Sequence, residues 1–167
     1  MRVGISLPVR EMANDLGAIR DFAQTAEGLG LTHLRVPDQV IRPGNGHLHD
    51  PMMLLAYIAA ITNQIELVPS VIVLPLRPTA LFARQASELD QLARGRVRMG
   101  IGVGANKAEF DAMGVDFHRR GARGDEQLEL LQALWSQETV SFSGQFEQVI
   151  ENGINPRPAD GWLPIWV

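Results

Sequence analysis

The sequence predicts a parallel α/β fold, about the first half of a (β/α)8 barrel, and three observations carry that prediction. Short apolar strands begin near Val3, His33, Ile65 and Val97, at steps of about 30 residues, the length of one strand–helix unit. A helical stretch follows each strand and leads back to the next. The chain has 167 residues where eight such units take about 250, so four units and a fifth strand are expected. A doubly wound sheet would also satisfy four βαβ steps; the even period and a hairpin inserted after the fourth helix favour the barrel.

Val3–Leu7 reads as a buried strand closed by Pro8. Asn14 or Asp15 caps the first helix, whose Leu16, Ile19, Phe22, Ala23, Ala26 and Leu29 share one face, and Gly30 stops it. His33–Val36 is the second strand, followed by a loop whose Pro43-Gly44-Asn45-Gly46 carries turn chemistry. Asp50-Pro51 then opens a helix by pairing a cap with proline at the first helical position. Its body is apolar on every side, so both faces need cover, and homodimerisation through helix 52–62 is the expectation.

Ile65–Leu74 is β-branched and interrupted by Pro69, which predicts a bulge. Thr79 is expected to cap the third helix, with Leu81, Phe82, Gln85, Ala86, Leu89 and Leu92 inward and Gly95 as its end. Val97–Val103 is the fourth strand, and a long loop through Arg120 precedes a helix bearing Leu128, Leu131, Leu134 and Trp135. Thr139–Phe142 and Phe146–Val149 flank Ser143-Gly144-Gln145 as a hairpin, and Pro164–Val167 is a fifth strand. The reading is therefore one incomplete-barrel domain over residues 1–167, with a hairpin insertion at about 139–150. Trp135, Trp162 and Trp166 are expected in the core or at an interface.

Composition narrows the function classes. A net charge of −4 argues against a nucleic-acid surface, and the absence of cysteine excludes disulfides and thiolate metal sites. The opening Met1–Ser6 lacks the long apolar run of a signal peptide, and no stretch has the length of a membrane span. A cytoplasmic protein acting on a small molecule is expected.

In parallel α/β folds ligands sit outside the carboxyl ends of the strands, which selects Pro8, Asp38, Gln39, Leu74 to Arg77 and Gly104 to Asn106. No nucleophile stands beside a base there, so a cofactor-driven reaction fits best. Gly100-Ile101-Gly102-Val103-Gly104-Ala105 matches the loose dinucleotide fingerprint, but it lies within the fourth strand instead of the turn after the first. Its small residues leave room either for close backbone packing or for a planar ring near Gly102–Asn106. His47-Leu48-His49-Asp50 has metal-ligand spacing, yet Asp50 is needed as a cap. His118-Arg119-Arg120 with Arg123 could meet an anion, or could pair with Asp116, Asp125 and Glu126. Arg77, just after the third strand, is the better placed anion ligand.

Several runs in order along the chain then resemble the bacterial-luciferase-like superfamily of flavin and deazaflavin oxidoreductases. They are Leu74-Pro75-Leu76-Arg77, Ala86-Ser87-Glu88-Leu89-Asp90, Gly95-Arg96 and Gly102-Val103-Gly104-Ala105-Asn106 with Glu109-Phe110. Arg120-Gly121, Asp125-Glu126, Leu134-Trp135 and Pro164-Ile165-Trp166 continue the series. Within that superfamily, His33-Leu34-Arg35 and Asp50-Pro51 look most like the coenzyme F420-dependent branch.

The resemblance implies a TIM barrel, represented by its amino-terminal portion, that uses F420, or alternatively FMN, for hydride transfer or oxygen activation. It implies ring contacts from Asp38 and Gln39, from Val71 and Ile72 at a third-strand bulge with an unusual peptide bond, and from Gly104, Ala105 and Asn106. Gln39 stands where relatives commonly have histidine, which makes it the catalytic candidate; its amide hydrogen-bonds but cannot shuttle a proton near neutral pH. Sugar-phosphate dehydrogenase members carry a carboxylate where Ala105 stands. Phosphate anchoring in such barrels usually follows strands seven and eight. The alternative expectation is a truncated, noncatalytic half barrel that dimerises or complements another chain.

Overall fold

The computed structural model describes residues 1–41 and 49–167. In chain order its elements are β1 (Gly4–Ser6), α1 (Leu16–Gly28), β2 (His33–Val36), α2 (Pro51–Ile61), β3 (Glu66–Pro69) and β4 (Ile72–Val73). There follow α3 (Thr79–Leu92), β5 (Met99–Gly102), α4 (Lys107–Met113), α5 (Arg120–Ser136), β6 (Val140–Ser143), β7 (Gln148–Asn152) and β8 (Ile165–Trp166). The turn at 43–46 lies outside the described residues.

All strands but the β6–β7 hairpin are parallel. β1, β2 and β3 pair in that order, as do β4, β5 and β8. A bridge from Leu67 to Val97 joins the two sets: the Leu67 amide donates to Arg96 at 2.9 Å and the Arg98 amide to Leu67 at 3.0 Å. The result is a wall of five parallel staves, with β3 and β4 as two halves of the third.

Register decides which face of the wall is apolar. Ile5, Leu34 and Leu67 are cross-strand partners, Val97 continues the row, and all four pack in the main core. Phe82, Ala86, Leu131 and Trp135 cover them from the helices, each fully or almost fully buried. Burying a side chain of leucine or phenylalanine size contributes about 1.5–3 kcal/mol, so this layer dominates stability. The opposite face carries His33, Arg35 and Glu66; Glu66 pairs with Arg98 at 3.0 Å and also with Arg2.

Helices α1 and α2 start where the sequence supplies an acceptor. Asp15 caps α1 by accepting from the Ala18 amide at 2.9 Å, and Asp50 caps α2 through the Met52 and Met53 amides. Thr79 is a correction. It is the first helical residue of α3, because Pro78 holds the extended cap position, and its hydroxyl accepts instead from Gln127 at 2.8 Å. Leu16, Leu29, Leu81 and Leu92, expected inward, are exposed. Leu16, Leu29 and Leu92 sit at helix ends; Leu81 lies one position round from buried Phe82. The expected long loop before α5 contains α4, and Trp162 is 60% exposed whereas Trp135 is buried. On α2, Leu54, Leu55, Ile58 and Ala59 are buried, while Met53 and Ala60 face outward.

The turn from α2 into β3 is gripped from two sides. Arg96 donates to the carbonyls of Ala59, Thr62, Ile65 and Ala93 and to the Thr62 hydroxyl, and so satisfies one of the open carbonyls in the last turn of α2. Burial pulls the pKa of this guanidinium down, opposed by the nearby Glu27 carboxylate. Glu27 in turn accepts from the amides of Asn63, Gln64 and Ile65 at 2.6–2.9 Å. Burial acts to raise the Glu27 pKa, but those three amides outweigh it and the net shift is downward.

A carboxylate held below its ordinary value stabilises the fold above that value, 4.5, and loses its contribution as pH falls through the lower folded value. Glu27→Ala is therefore expected to lower unfolding free energy by about 2 kcal/mol at pH 7. In urea titrations the gap from the parent chain should narrow as the solution is acidified below the ordinary value; a gap that stays constant would contradict the assignment.

Candidate functional site

The carboxyl ends of the staves are shaped by one close approach. Between β3 and β4 the chain kinks, and the peptide bond between Ser70 and Val71 is cis, the feature the resemblance implied for this stave. β5 runs alongside with glycine at every second position. A side chain on Gly100 would collide with the Pro69 carbonyl oxygen, one on Gly102 would lie 2.7 Å from Val71 Cγ2, and one on Gly104 2.6 Å from Val73 Cγ1. Gly104 also has φ of +73°, which favours glycine on its own account. The glycine alternation thus first serves strand packing. Above it Val71 and Val103 are partly exposed at 39% and 45%, and Ala105 and Asn106 are exposed.

The loop after β2 is tied to the third stave. Asp38 accepts from the Val73 amide at 3.2 Å and from Arg77 Nη2 at 2.9 Å; the same Arg77 nitrogen reaches Asp50 at 3.2 Å. The Asp38 side chain is 3% exposed, and taking one partner from a buried pair of this kind costs about 3–5 kcal/mol. Gln39 is half-buried and borders a cleft of about 380 Å³, shared with Val40, Phe82, Gln85 and Met113.

The loop after β5 has its own supports. Arg120 donates to the Gly104 carbonyl at 3.1 Å and lies 4.0 Å above the Phe117 ring, which meets Phe110 edge-on. Asn106 caps α4 by accepting from the Ala108 amide at 3.2 Å, and Gly114 in the left-handed conformation ends that helix. Glu109 on α4 is buried, and its Oε1 accepts from the amides of Val40 and Ile41 at 2.9 and 3.2 Å.

Residues 1–167 match the luciferase-like monooxygenase family over their whole length. The chain belongs to that family. It is 35% identical over 157 residues to an F420-dependent glucose-6-phosphate dehydrogenase of Kineococcus radiotolerans, covering 90% of this chain and 46% of that one. An FMNH(2)-dependent dimethylsulfone monooxygenase of Pseudomonas fluorescens is 30% identical over 146 residues, covering 83% and 39%. Among solved structures, the monooxygenase RslO1 from Streptomyces bottropensis superposes with a TM-score of 0.88 at 26% identity, covering 99% of this chain and 52% of that one. The chain thus spans about half the length of these luciferase-like relatives, and its five staves are those of about half a (β/α)8 barrel.

Against this luciferase-like frame the expected site residues divide. Gln39, Gly104, Ala105 and Asn106 lie beyond the strand ends and Val71 at the bend between β3 and β4, all with exposed or half-exposed surface. Ile72 does not: it is fully buried in the core and offers the rim only backbone. The Asp38 carboxylate is enclosed by Arg77 and the Val73 amide, so it braces the loop instead of facing a ligand. Arg77 is engaged by two carboxylates and is not a free anion ligand. Two arginines of the basic cluster have protein partners. Arg119 stacks on Phe146 and Arg123 pairs with Glu147 at 3.4 Å; Asp116 caps the His118 amide and Glu126 accepts from the amides of residues 145–147. Burial would raise the Glu126 pKa, but these amides hold it down.

Among the described residues no group of three metal-ligating side chains comes together, and no helix is long and apolar enough to cross a membrane. His47 and Leu48 lie outside the described residues. The Glu109 tie to the loop after β2 has no local signal: Asn106-x-x-Glu109 has capping-box spacing, but the carboxylate reaches Val40 and Ile41 instead.

Asn106 holds α4 through its side-chain oxygen, which separates two roles. Asn106→Asp keeps the cap and Asn106→Ala loses it, so by thermal unfolding only the alanine variant should lose about 1 kcal/mol. Equal stability of the two variants would show that the cap is idle.

Proposed function

We propose that this chain carries the ring-binding rim of a luciferase-like oxidoreductase that passes a hydride or activates oxygen on a small organic substrate, with F420 as the cofactor and FMN as the alternative. The observation that carries the reading is the low, partly apolar shelf formed where Val71 lies over Gly102 and the backbone continues through Val103 and Gly104 to Ala105. A planar tricyclic ring fits a surface of that kind, and relatives named for F420 and for FMNH(2) support both cofactors. The fit is to the ring. Among the described residues beside the rim, Arg77, Arg120 and Arg123 each face a protein partner.

When bound, the reduced ring supplies the hydride or the electrons. Val71 would exclude water from one side of it, and the Gln39 amide would hydrogen-bond a polar edge without taking a proton. Asn106 can offer its side-chain NH2 while its oxygen holds the cap. The outward Met53 and Ala60 of α2 support homodimerisation through helix 52–62. The open edges of β1 and β8, each paired on one side only, favour a second reading as a half-barrel module that complements another chain.

Titrating the chain with F420 and with FMN, followed by fluorescence, separates these readings. Saturable F420 binding is expected, and Gln39→His should preserve or strengthen it. A chain that sediments as a defined dimer yet binds neither ring would overturn the enzyme reading in favour of the module.

A further inference from the structure

We infer that Glu109 is a positioning residue for the proposed ring site, acting through Gln39; the inference rests on the ring-binding reading. Gln39 stands between two anchors that come from different staves. On its amino side, Asp38 is tied to the Val73 amide and to Arg77, both of the third stave and its exit. On its carboxyl side, the Val40 and Ile41 amides share one oxygen of Glu109, which belongs to α4, the helix that follows β5. One residue held on both sides by carboxylates has little backbone freedom left, so its amide side chain is presented from a fixed point.

A glutamate at the third position of a helix ordinarily reaches back to the backbone of its own cap residue. Glu109 instead spans 69 positions to the loop after β2. Its residue is 4% exposed, and hydrogen bonds to an ionised acceptor are roughly twice as strong as neutral ones. Because α4 begins at Asn106, the same helix that fixes the Gly104–Asn106 side of the shelf also fixes the Gln39 side. Glu109 therefore couples the two walls.

The test uses the 167-residue chain, with amide exchange read by NMR and F420 binding read by fluorescence. Glu109→Ala should speed exchange at Val40 and Ile41 by about tenfold, while Glu109→Gln, which keeps an oxygen acceptor, stays within about threefold of the parent. Leu34 and Leu67 amides report that the fold persists; should the alanine variant fail to fold, the glutamine variant and its intermediate exchange carry the comparison. Unchanged exchange at Val40 and Ile41 in the alanine variant would overturn the inference. In the binding arm, Glu109→Ala should weaken F420 binding in the parent but add nothing to a Gln39→Ala chain. Equal weakening in both backgrounds would mean that Glu109 does not act through Gln39. If the parent binds neither F420 nor FMN, the ring reading fails alone, and the exchange arm still decides whether Glu109 holds the loop.

Discussion

Where β5 passes the kinked third stave there is no space for a side chain, and the shape of the rim follows from that contact. Gly100 yields to the Pro69 carbonyl, Gly102 to Val71 and Gly104 to Val73. The kink divides the third stave into β3 and β4, and the Leu67–Val97 bridge pairs the first set of strands with the second. Gly104 then leaves the strand in a left-handed conformation, its carbonyl taken by Arg120, and delivers the chain to Asn106 and α4. A larger residue at Gly100 would meet the backbone of the third stave, and one at Gly102 would displace the Val71 side chain.

A second theme is the use of carboxylates to hold loops by their backbone. Glu27 of α1 binds three consecutive amides ahead of β3, and Glu126 of α5 binds three in the hairpin tip. Glu109 binds two after β2, and Asp38 binds one at Val73. The three glutamates come from helices, which thus set the course of connections they do not themselves make, while Asp38 ties its own loop to β4. Loops are ordinarily the least constrained parts of a fold; here acceptors from the helix layer supply the constraint.

The fold was legible because its signals are local. Asp15, Asp50 with Pro51, Gly30 and Gly95 mark helix ends within a few residues of the groups they serve, and the apolar strands repeat at one period. Helix α4 was not legible because it has only seven residues, and Asn106 was weighed as a ligand before it was weighed as a cap. Asp38 and Arg77 were each placed correctly at the strand ends. That they neutralise each other across 39 positions has no local signature. Thr79 misled because Pro78 already supplies the extended residue that a cap must be. The exposed leucines misled because periodicity describes a helix face, not how far the sheet extends beneath it.

The ties made by Glu27, Glu109 and Glu126 end on peptide N–H dipoles and not on lysine or arginine side chains. Dissolved electrolyte weakens attraction between exposed unit charges, but it has little hold on a short bond from a carboxylate to fixed amides. The Val40–Ile41 end of the loop after β2, held by Glu109, should consequently keep its arrangement from dilute buffer to strong brine.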